Sequence, residues 1–295
     1  MDQVAKKILI LGGSGLVGSV FQCTMKDVYE IIAPTHREVD ICNFSQVLQI
    51  IALHEPDVLI NFAGYTDVIG AEGGGRLENF NINVLGAQNI AKAAGAFGLP
   101  LIHLSSDYVF DGEKGEAYIP NDVLHPVNNY GMAKYLSEEL MKREFAETII
   151  VRTSSLYGGS LFGNDGARTH FINSLLRKVS LEEKIRVVDD IFMSPTSVLD
   201  LSWAIKSLIE NIEASESEIF HFVNQTEGKG VSWYDFTLEC TQYLPELSRI
   251  QPISSSEYFS GVKRPKISSL NNTSNILLPD WKEGLKQYFL HGNVN

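Results

Sequence analysis

Residues Lys7-Ile8-Leu9-Ile10-Leu11 form an unbroken apolar run that ends at glycine. A run of this kind, without polar alternation, suits a strand buried on both faces of a parallel sheet. Gly12, Gly15 and Gly18 follow at three-residue spacing, and a helical pattern opens through Leu16, Val20, Phe21 and Met25. Strand, glycine turn and helix in that order confine the start of the chain to a unit that suits a dinucleotide. Gly12 allows the tight turn, Gly15 lets backbone approach a pyrophosphate, and Gly18 permits close packing of helix on strand. The helix N-terminus faces the anion. Gly12, Ser14, Gly15, Leu16 and Val17 are therefore candidate cofactor contacts, against the plainer reading of a glycine-rich turn.

The strand-helix alternation continues. Tyr29 to Ala33 reads as a second strand, ending near Thr35-His36-Arg37. An acidic residue in this place holds a ribose 2′-hydroxyl, whereas arginine suits a 2′-phosphate. Arg37 leans toward NADPH. Glu38 and Asp40 keep NADH open, and a solvated loop charge is the alternative role for Arg37. A helix over Phe44 to Leu53, capped by Asn43 or Ser45, leads to a third strand within Pro56 to Gly64. Phe62, Ala63, Gly64 and Tyr65 at its end are further candidate cofactor contacts, where backbone can lie against ribose or phosphate. Ala71 to Gly75 is glycine-rich and reads as a segment that orders on ligand binding, or as a mobile tip.

One long helix is expected over Leu77 to Phe97, then a fourth strand over Leu99 to Leu104. That strand runs into Ser105-Ser106-Asp107-Tyr108, where this architecture binds ligands. Ser106 suits hydrogen bonding to a substrate carbonyl or, instead, the capping of a turn. The loop Asp111 to Asn129 is long enough to suggest a functional role. The next helix carries Tyr130 and Lys134, four residues apart and so on one face. A nearby ammonium favours phenolate and lowers a tyrosine pKa, which gives a proton donor usable near neutrality. Taken alone, such a pair also fits a solvated helix face. A fifth strand over Thr148 to Arg152 completes an α/β pattern: a doubly wound, Rossmann-type parallel sheet with right-handed crossovers.

Beyond this point the pattern loosens. A loop and helix over Phe162 to Asp165 and Arg168 to Lys178, a strand at Ile185 to Val188, a helix from Val198 to Ile209, a strand at Glu218 to Val223 and a last helix to Leu290 are expected. Residues 1–160 read as an NAD(P)-binding domain. Residues 161–295 read as a smaller, mainly substrate-binding annex partly interleaved with the main sheet. The chain has 295 residues and a formal net charge of -12, which opposes broad nucleic-acid binding. Cys23, Cys42 and Cys240 are odd in number and far apart, which suggests reduced thiols in a cytoplasmic protein and no disulfide or zinc framework. No apolar run reaches membrane-spanning length, and Met1 to Lys7 lacks the features of a signal peptide.

The glycine turn, Ser105 to Phe110 and Tyr130-x-x-x-Lys134 together resemble the extended short-chain dehydrogenase/reductase superfamily. Further motifs make nearly the whole chain similar to the dTDP-4-dehydrorhamnose reductase family. They are Arg152-Thr153-Ser154, Ser194-Pro195-Thr196, Trp233-Tyr234-Asp235-Phe236, Arg264-Pro265 and Leu278-Pro279-Asp280-Trp281. The resemblance implies NADPH-dependent reduction of a nucleotide-linked 4-keto sugar. Tyr130 would donate a proton to the keto oxygen, Lys134 would bind the nicotinamide ribose and lower the tyrosine pKa, and Ser106 would orient the keto group. Ser105 joins the implied cofactor contacts. Asp107, Tyr108, Ser155 and Arg264 fall where the substrate is implied to bind, with Lys263 and Arg264 suited to its diphosphate. The chain departs from the family at Ser155, where tryptophan is usual, at Val68-Ile69, usually Val-Asp, and at Pro120, usually glutamate. These positions keep two alternatives open: a non-catalytic dinucleotide-binding regulatory subunit, and a nucleotide-sugar epimerase or dehydratase. The resemblance also allows a homodimer, and no metal motif stands out.

Overall fold

The computed structural model describes residues 5–159, 171–179, 184–212, 218–259 and 261–292. The apolar run becomes β1 (Lys7–Leu11), and the pattern after the glycines becomes α1 (Leu16–Met25). Then come β2 (Glu30–Ile32), α2 (Phe44–His54), β3 (Val58–Asn61), α3 (Val68–Glu72), α4 (Arg76–Phe80) and α5 (Ala87–Phe97). β4 (Leu101–Ser106), α6 (Asn129–Glu144) and β5 (Thr148–Thr153) complete the alternation. With the strand Ile219–His221 at one edge, the sheet order is 219–221, β5, β4, β3, β1, β2, and every pairing is parallel.

The chain leaves β1 toward β2 and returns across it to β3 on the other side. Strand order therefore reverses between β1 and β3, and such a reversal opens a crevice at the carboxyl ends of the two strands. Gly12 turns there with φ of +88°, and a Cβ on it would stand 2.3 Å from the Ala63 nitrogen. A Cβ on Gly18 would stand 2.4 Å from the Gly12 oxygen, so α1 sits directly on the turn.

Helices cover both faces of the sheet. Val17, Val20 and Phe21 of α1 pack with Leu201, Ile205 and Leu208 of the helix Val198–Glu210 on one face. Val47 and Ile51 of α2, Ile90 and Ala94 of α5 and Met141 of α6 cover the other. A separate core gathers Tyr157, Phe236, Trp281, Leu285 and Phe289. The chain after residue 160 thus adds an edge strand and a covering helix to the main body as well as this second core.

Several local expectations change. β2 spans three residues, not the five from Tyr29 to Ala33. The long helix over Leu77 to Phe97 is α4 and α5 joined by a π-helical turn, Asn81–Gly86. The glycine stretch at Ala71 to Gly75 is anchored. The Tyr65 hydroxyl lies where a Cβ on Gly70 or Gly75 would fall, 2.2 and 2.0 Å away. The Glu72 carboxylate accepts the Asn129 backbone N–H at 2.6 Å and its side-chain N–H at 2.9 Å, which ties the stretch to the start of α6. Phe162 to Asp165, the first residues of the Arg168 to Lys178 helix, and Met1 to Val4 lie outside the described residues; the helix itself runs Phe171–Val179.

Gly12 and Gly74 provide a contrast. Gly12→Ala is expected to cost at least about 2 kcal/mol through its φ and its contact with β3. Among the described residues Gly74 has nothing within 4 Å of its Cβ position, and Gly74→Ala is expected to stay within about 0.5 kcal/mol. Urea melts decide, and equal costs would contradict the close approach.

Candidate active site

β4 delivers Ser106 to the end of the sheet in extended conformation, and a 3-10 turn, Asp107–Val109, follows. The Ser106 hydroxyl accepts the Tyr108 N–H at 3.2 Å, so it does cap the turn. α6 opens with Asn128 as its cap, accepting the Gly131 N–H at 2.8 Å. A Cβ on Gly131 would stand 2.1 Å from the Tyr108 oxygen, so the first turn of α6 rests against the turn after β4. That contact brings Tyr130 beside Ser106 and Tyr108, with the Tyr108 and Tyr130 rings edge to face at 5.6 Å. Tyr130 is 8% exposed and Lys134 5%. This is a buried face, not a solvated one.

Burial decides the electrostatics. It pushes the Tyr130 phenol well above its usual value; the Ser106 hydroxyl opposes this, and Asp107 and Tyr108 add to it. The expectation that Lys134 lowers the tyrosine pKa is therefore corrected for the protein alone. The Lys134 ammonium donates to the Leu104 carbonyl at 2.8 Å, and burial brings its pKa down to about 8 against the pull of Glu138. Glu138, one turn further along α6, is fully buried and held by Arg152 Nη2 at 2.7 Å and Nε at 3.0 Å. The Ser105 hydroxyl also donates to Glu138, at 2.5 Å, so this side chain faces away from the crevice. Arg152 continues to the Pro120 carbonyl at 3.0 Å and to His221 at 3.4 Å. Burial and Arg152 bring His221 down to about 3, which keeps it neutral. Behind the site, His103 is likewise held neutral by burial and by Lys134.

On the crevice side, α1 starts at Gly15 with no side-chain cap, and Ser14 and Gly15 are exposed. Among the described residues, a Cβ on Gly15 would meet only the Gly12 oxygen, at 3.3 Å, which leaves an open cradle at the uncapped helix start. Val17 is buried and Phe62 meets Phe21 edge to face at 5.8 Å, so these two offer backbone rather than side chain to the crevice, and Leu16 is half-buried. A Cβ on Gly64 would stand 3.1 Å from Asn83 Oδ1 and 3.6 Å from Lys134 Nζ. Gly64 thus lies between the β3 turn and the Tyr130–Lys134 face.

Asn83 was not among the expected site residues. Its Oδ1 accepts the Tyr65 N–H at 3.0 Å and its Nδ2 donates to the Tyr65 carbonyl at 2.9 Å, which fixes the backbone beside Gly64. It sits in the π-helical turn, a distortion often found at functional sites. The available signal was Asn79 and Asn83, two amides four residues apart on a helix that is otherwise expected to bury that face. Arg37 is exposed and makes no ion pair among the described residues. Glu38 is turned inward to Thr35, whose N–H and hydroxyl it accepts at 2.7 and 2.9 Å. Asp40 accepts the Cys42 N–H at 2.9 Å.

Toward the C-terminal part, the Arg264 guanidinium packs over Phe259 and Trp233, at 4.5 and 5.6 Å from their ring centres. Its Nη1 donates to the Tyr108 hydroxyl at 2.7 Å, while its Nε is buried without a partner among the described residues. Lys263 is exposed. Asp107 is 3% exposed, so it lies beneath the site surface rather than on it. Ser155 is exposed with φ of +44°, past the end of β5. No described contact joins Ser155 or Arg37 to the Ser106–Tyr130 cluster. Among the described residues no group of three or more His, Cys, Asp or Glu could hold a metal ion, and no helix is long and apolar enough to cross a membrane.

Fold and site together define a doubly wound α/β protein with a buried serine, tyrosine and lysine beside its switch-point crevice. The family model described as RmlD substrate binding domain matches residues 6–293. The chain belongs to this family. It is 32% identical to the dTDP-4-dehydrorhamnose reductase of Aggregatibacter actinomycetemcomitans, over 95% of this chain and 97% of that protein. It is 28% identical to the dTDP-4-keto-6-deoxy-D-glucose reductase of Streptomyces niveus, over 93% and 90%. The crystal structure of dTDP-4-dehydrorhamnose reductase from Bacillus anthracis in complex with NADP superimposes with a TM-score of 0.88 at 31% identity, covering 97% and 99% of the two chains.

Burial of Lys134 has a measurable consequence. The ordinary lysine value is 10.5, and the folded value is about 8. Between them the unfolded chain holds a proton that the folded chain has released, so stability rises with pH across this window; below it the cost of charging is full and constant. Urea melts are expected to show a steeper rise for the native sequence than for Lys134→Met. Parallel curves would contradict a buried, depressed Lys134.

Proposed function

We propose that the protein is an NADPH-dependent reductase of a nucleotide-linked 4-keto sugar. The observation that carries this reading is the buried convergence of Ser106, Tyr130 and Lys134 beside the Gly12–Gly18 turn. Relatives named as reductases of dTDP-linked 4-keto sugars support it.

The residues present fit the cofactor. The open Gly15 cradle and the uncapped start of α1, with Ser14, Leu16 and Val17, would hold the pyrophosphate. Backbone at Phe62, Ala63, Gly64, Tyr65 and Ser105 would line the crevice toward Lys134. Arg37 is left available for a 2′-phosphate, while the carboxylates that would suit NADH, Glu38 and Asp40, are engaged locally. The bound cofactor supplies a hydride. Negative charge then develops on the substrate oxygen, and donors aimed there stabilise the transition state. Tyr130 keeps its proton because burial disfavours the phenolate, and it delivers that proton from its hydroxyl to the alkoxide. Ser106 orients the carbonyl. Lys134 places a positive charge behind Tyr130. Tyr108 and Arg264 bind the substrate, with the guanidinium suited to the diphosphate. Ser155, Ile69 and Pro120 leave the choice of sugar open.

The reading assigns residues 161–295 mainly to the substrate side and gives a cytoplasmic protein without nucleic-acid or membrane partners. A homodimer is its expected association state, checked by light scattering.

NADPH oxidation with dTDP-linked 4-keto sugars tests the reading. Tyr130→Phe is expected to lower turnover about 10²–10⁴-fold and to spare NADPH binding. Unchanged turnover would mean a different acid. Intact NADPH binding with no turnover on any nucleotide-linked keto sugar would favour a regulatory binding subunit, and turnover without net NADPH consumption an epimerase or dehydratase. Arg37→Ala is expected to weaken NADPH binding while leaving NADH binding unchanged; equal effects on both would remove Arg37 from the cofactor site.

A further inference from the structure

Ser106 has one proton and several neighbours that compete for it. Its Oγ accepts the Tyr108 N–H at 3.2 Å and donates to Asp107 Oδ1 at 2.9 Å. The same hydroxyl faces Tyr130 and favours its phenolate. The other Asp107 oxygen, Oδ2, accepts the Ser154 hydroxyl at 2.9 Å, and the Ser268 hydroxyl also bonds this carboxyl. The charged and titratable groups around Asp107 are Tyr130 from α6, Tyr108 from its own turn, and Arg264 from the C-terminal segment, bonded to Tyr108. Among the described residues Asp107 makes no ion pair. Burial without a cation lifts its carboxyl to about 6 despite the three hydroxyl donors.

We propose, on the reductase reading above, that Asp107 is a positioning residue whose protonation state sets the direction of the Ser106 hydrogen bonds. With Asp107 ionised, Ser106 gives its proton to the carboxylate, and its remaining lone pair draws the Tyr130 hydroxyl inward. Both donors then point away from the substrate. With Asp107 protonated, the acid O–H donates to Ser106, whose two lone pairs are filled by Tyr108 and Asp107. The Ser106 proton is released toward the keto oxygen, and Tyr130 is released with it. Ser154 remains a donor to the other oxygen of the acid, Oδ2, which fixes the acid O–H on the Ser106 side. Only the orientation of hydrogen bonds changes between the two forms, together with one proton on Asp107.

Two measurements test this. The first is the turnover number at saturating NADPH and keto sugar as pH rises through about 6. It is expected to fall about tenfold or more, since the loss of even one donor to an oxyanion costs ~10²–10³-fold. Asp107→Asn places an amide N–H against Ser106 in the manner of the protonated acid, and its profile is expected to be flat. Ser106→Ala should be slower throughout and also flat. A fall retained in either variant overturns the proposal. So does an Asp107→Asn protein whose only change is a raised KM, which would make Asp107 a substrate contact. If Asp107→Asn does not fold, the Ser106→Ala profile decides.

The second measurement needs no turnover. The Asp107 carboxyl, followed by carbon NMR in protein labelled at aspartate, is expected to titrate higher in Ser106→Ala, because the carboxylate loses a donor. An unmoved titration overturns the proposal. Failure of the reductase reading shows separately, as absent NADPH oxidation with every keto sugar in the native sequence.

Discussion

The contact of Gly12 with Phe62 and Ala63 is the constraint on which the rest of the molecule depends. β1 and β3 are adjacent in the sheet although β2 separates them in sequence, and their carboxyl ends meet where the strand order reverses. A side chain at Gly12 would collide with the β3 backbone. Because none is there, the uncapped start of α1 and the turn after β3 form two walls of one crevice. Gly64 then lies within reach of Lys134, and the crevice runs into the Tyr130 face. The same backbone packing thus sets both walls of the crevice and the approach of Gly64 to Lys134.

Behind that crevice the polar groups are buried and almost fully paired. Glu138, Arg152, Ser105 and the Pro120 carbonyl lock α6 to β4, β5 and the long loop. Such a network costs much to break and adds little as a net stabiliser, so its effect is to fix geometry. It holds α6 at the depth where Tyr130 and Lys134 are both desolvated. Desolvation then keeps the phenol protonated and brings the ammonium down to about 8.

Much of this was legible in the sequence. The apolar strand, the glycine spacing and five strand-helix alternations fix the sheet, because buried parallel strands and covering helices leave distinct periodicities. Ser106, Tyr130 and Lys134 were also legible, since helical spacing and the position after a strand place them near one another. The pKa of Tyr130 was not. Spacing shows that an ammonium lies on the same face, but not that both groups are buried or that the ammonium donates to the Leu104 carbonyl. Asn83 was hidden because a π-helical turn has no simple composition and two of its hydrogen bonds go to backbone eighteen residues away. The inward turn of Ser105 to Glu138 and the burial of Asp107 depend on contacts with α6, β5 and the C-terminal segment, which no local pattern carries.

The most direct measurement follows the hydride. NADPH deuterated at the transferring position would be incubated with a dTDP-linked 4-keto sugar and the native protein, and both products would be examined by NMR. The expected result is deuterium on C4 of the new secondary alcohol, with one NADPH consumed per alcohol formed. Deuterium retained on the cofactor, or a product altered at another carbon without net NADPH consumption, would contradict reduction by hydride transfer at this site.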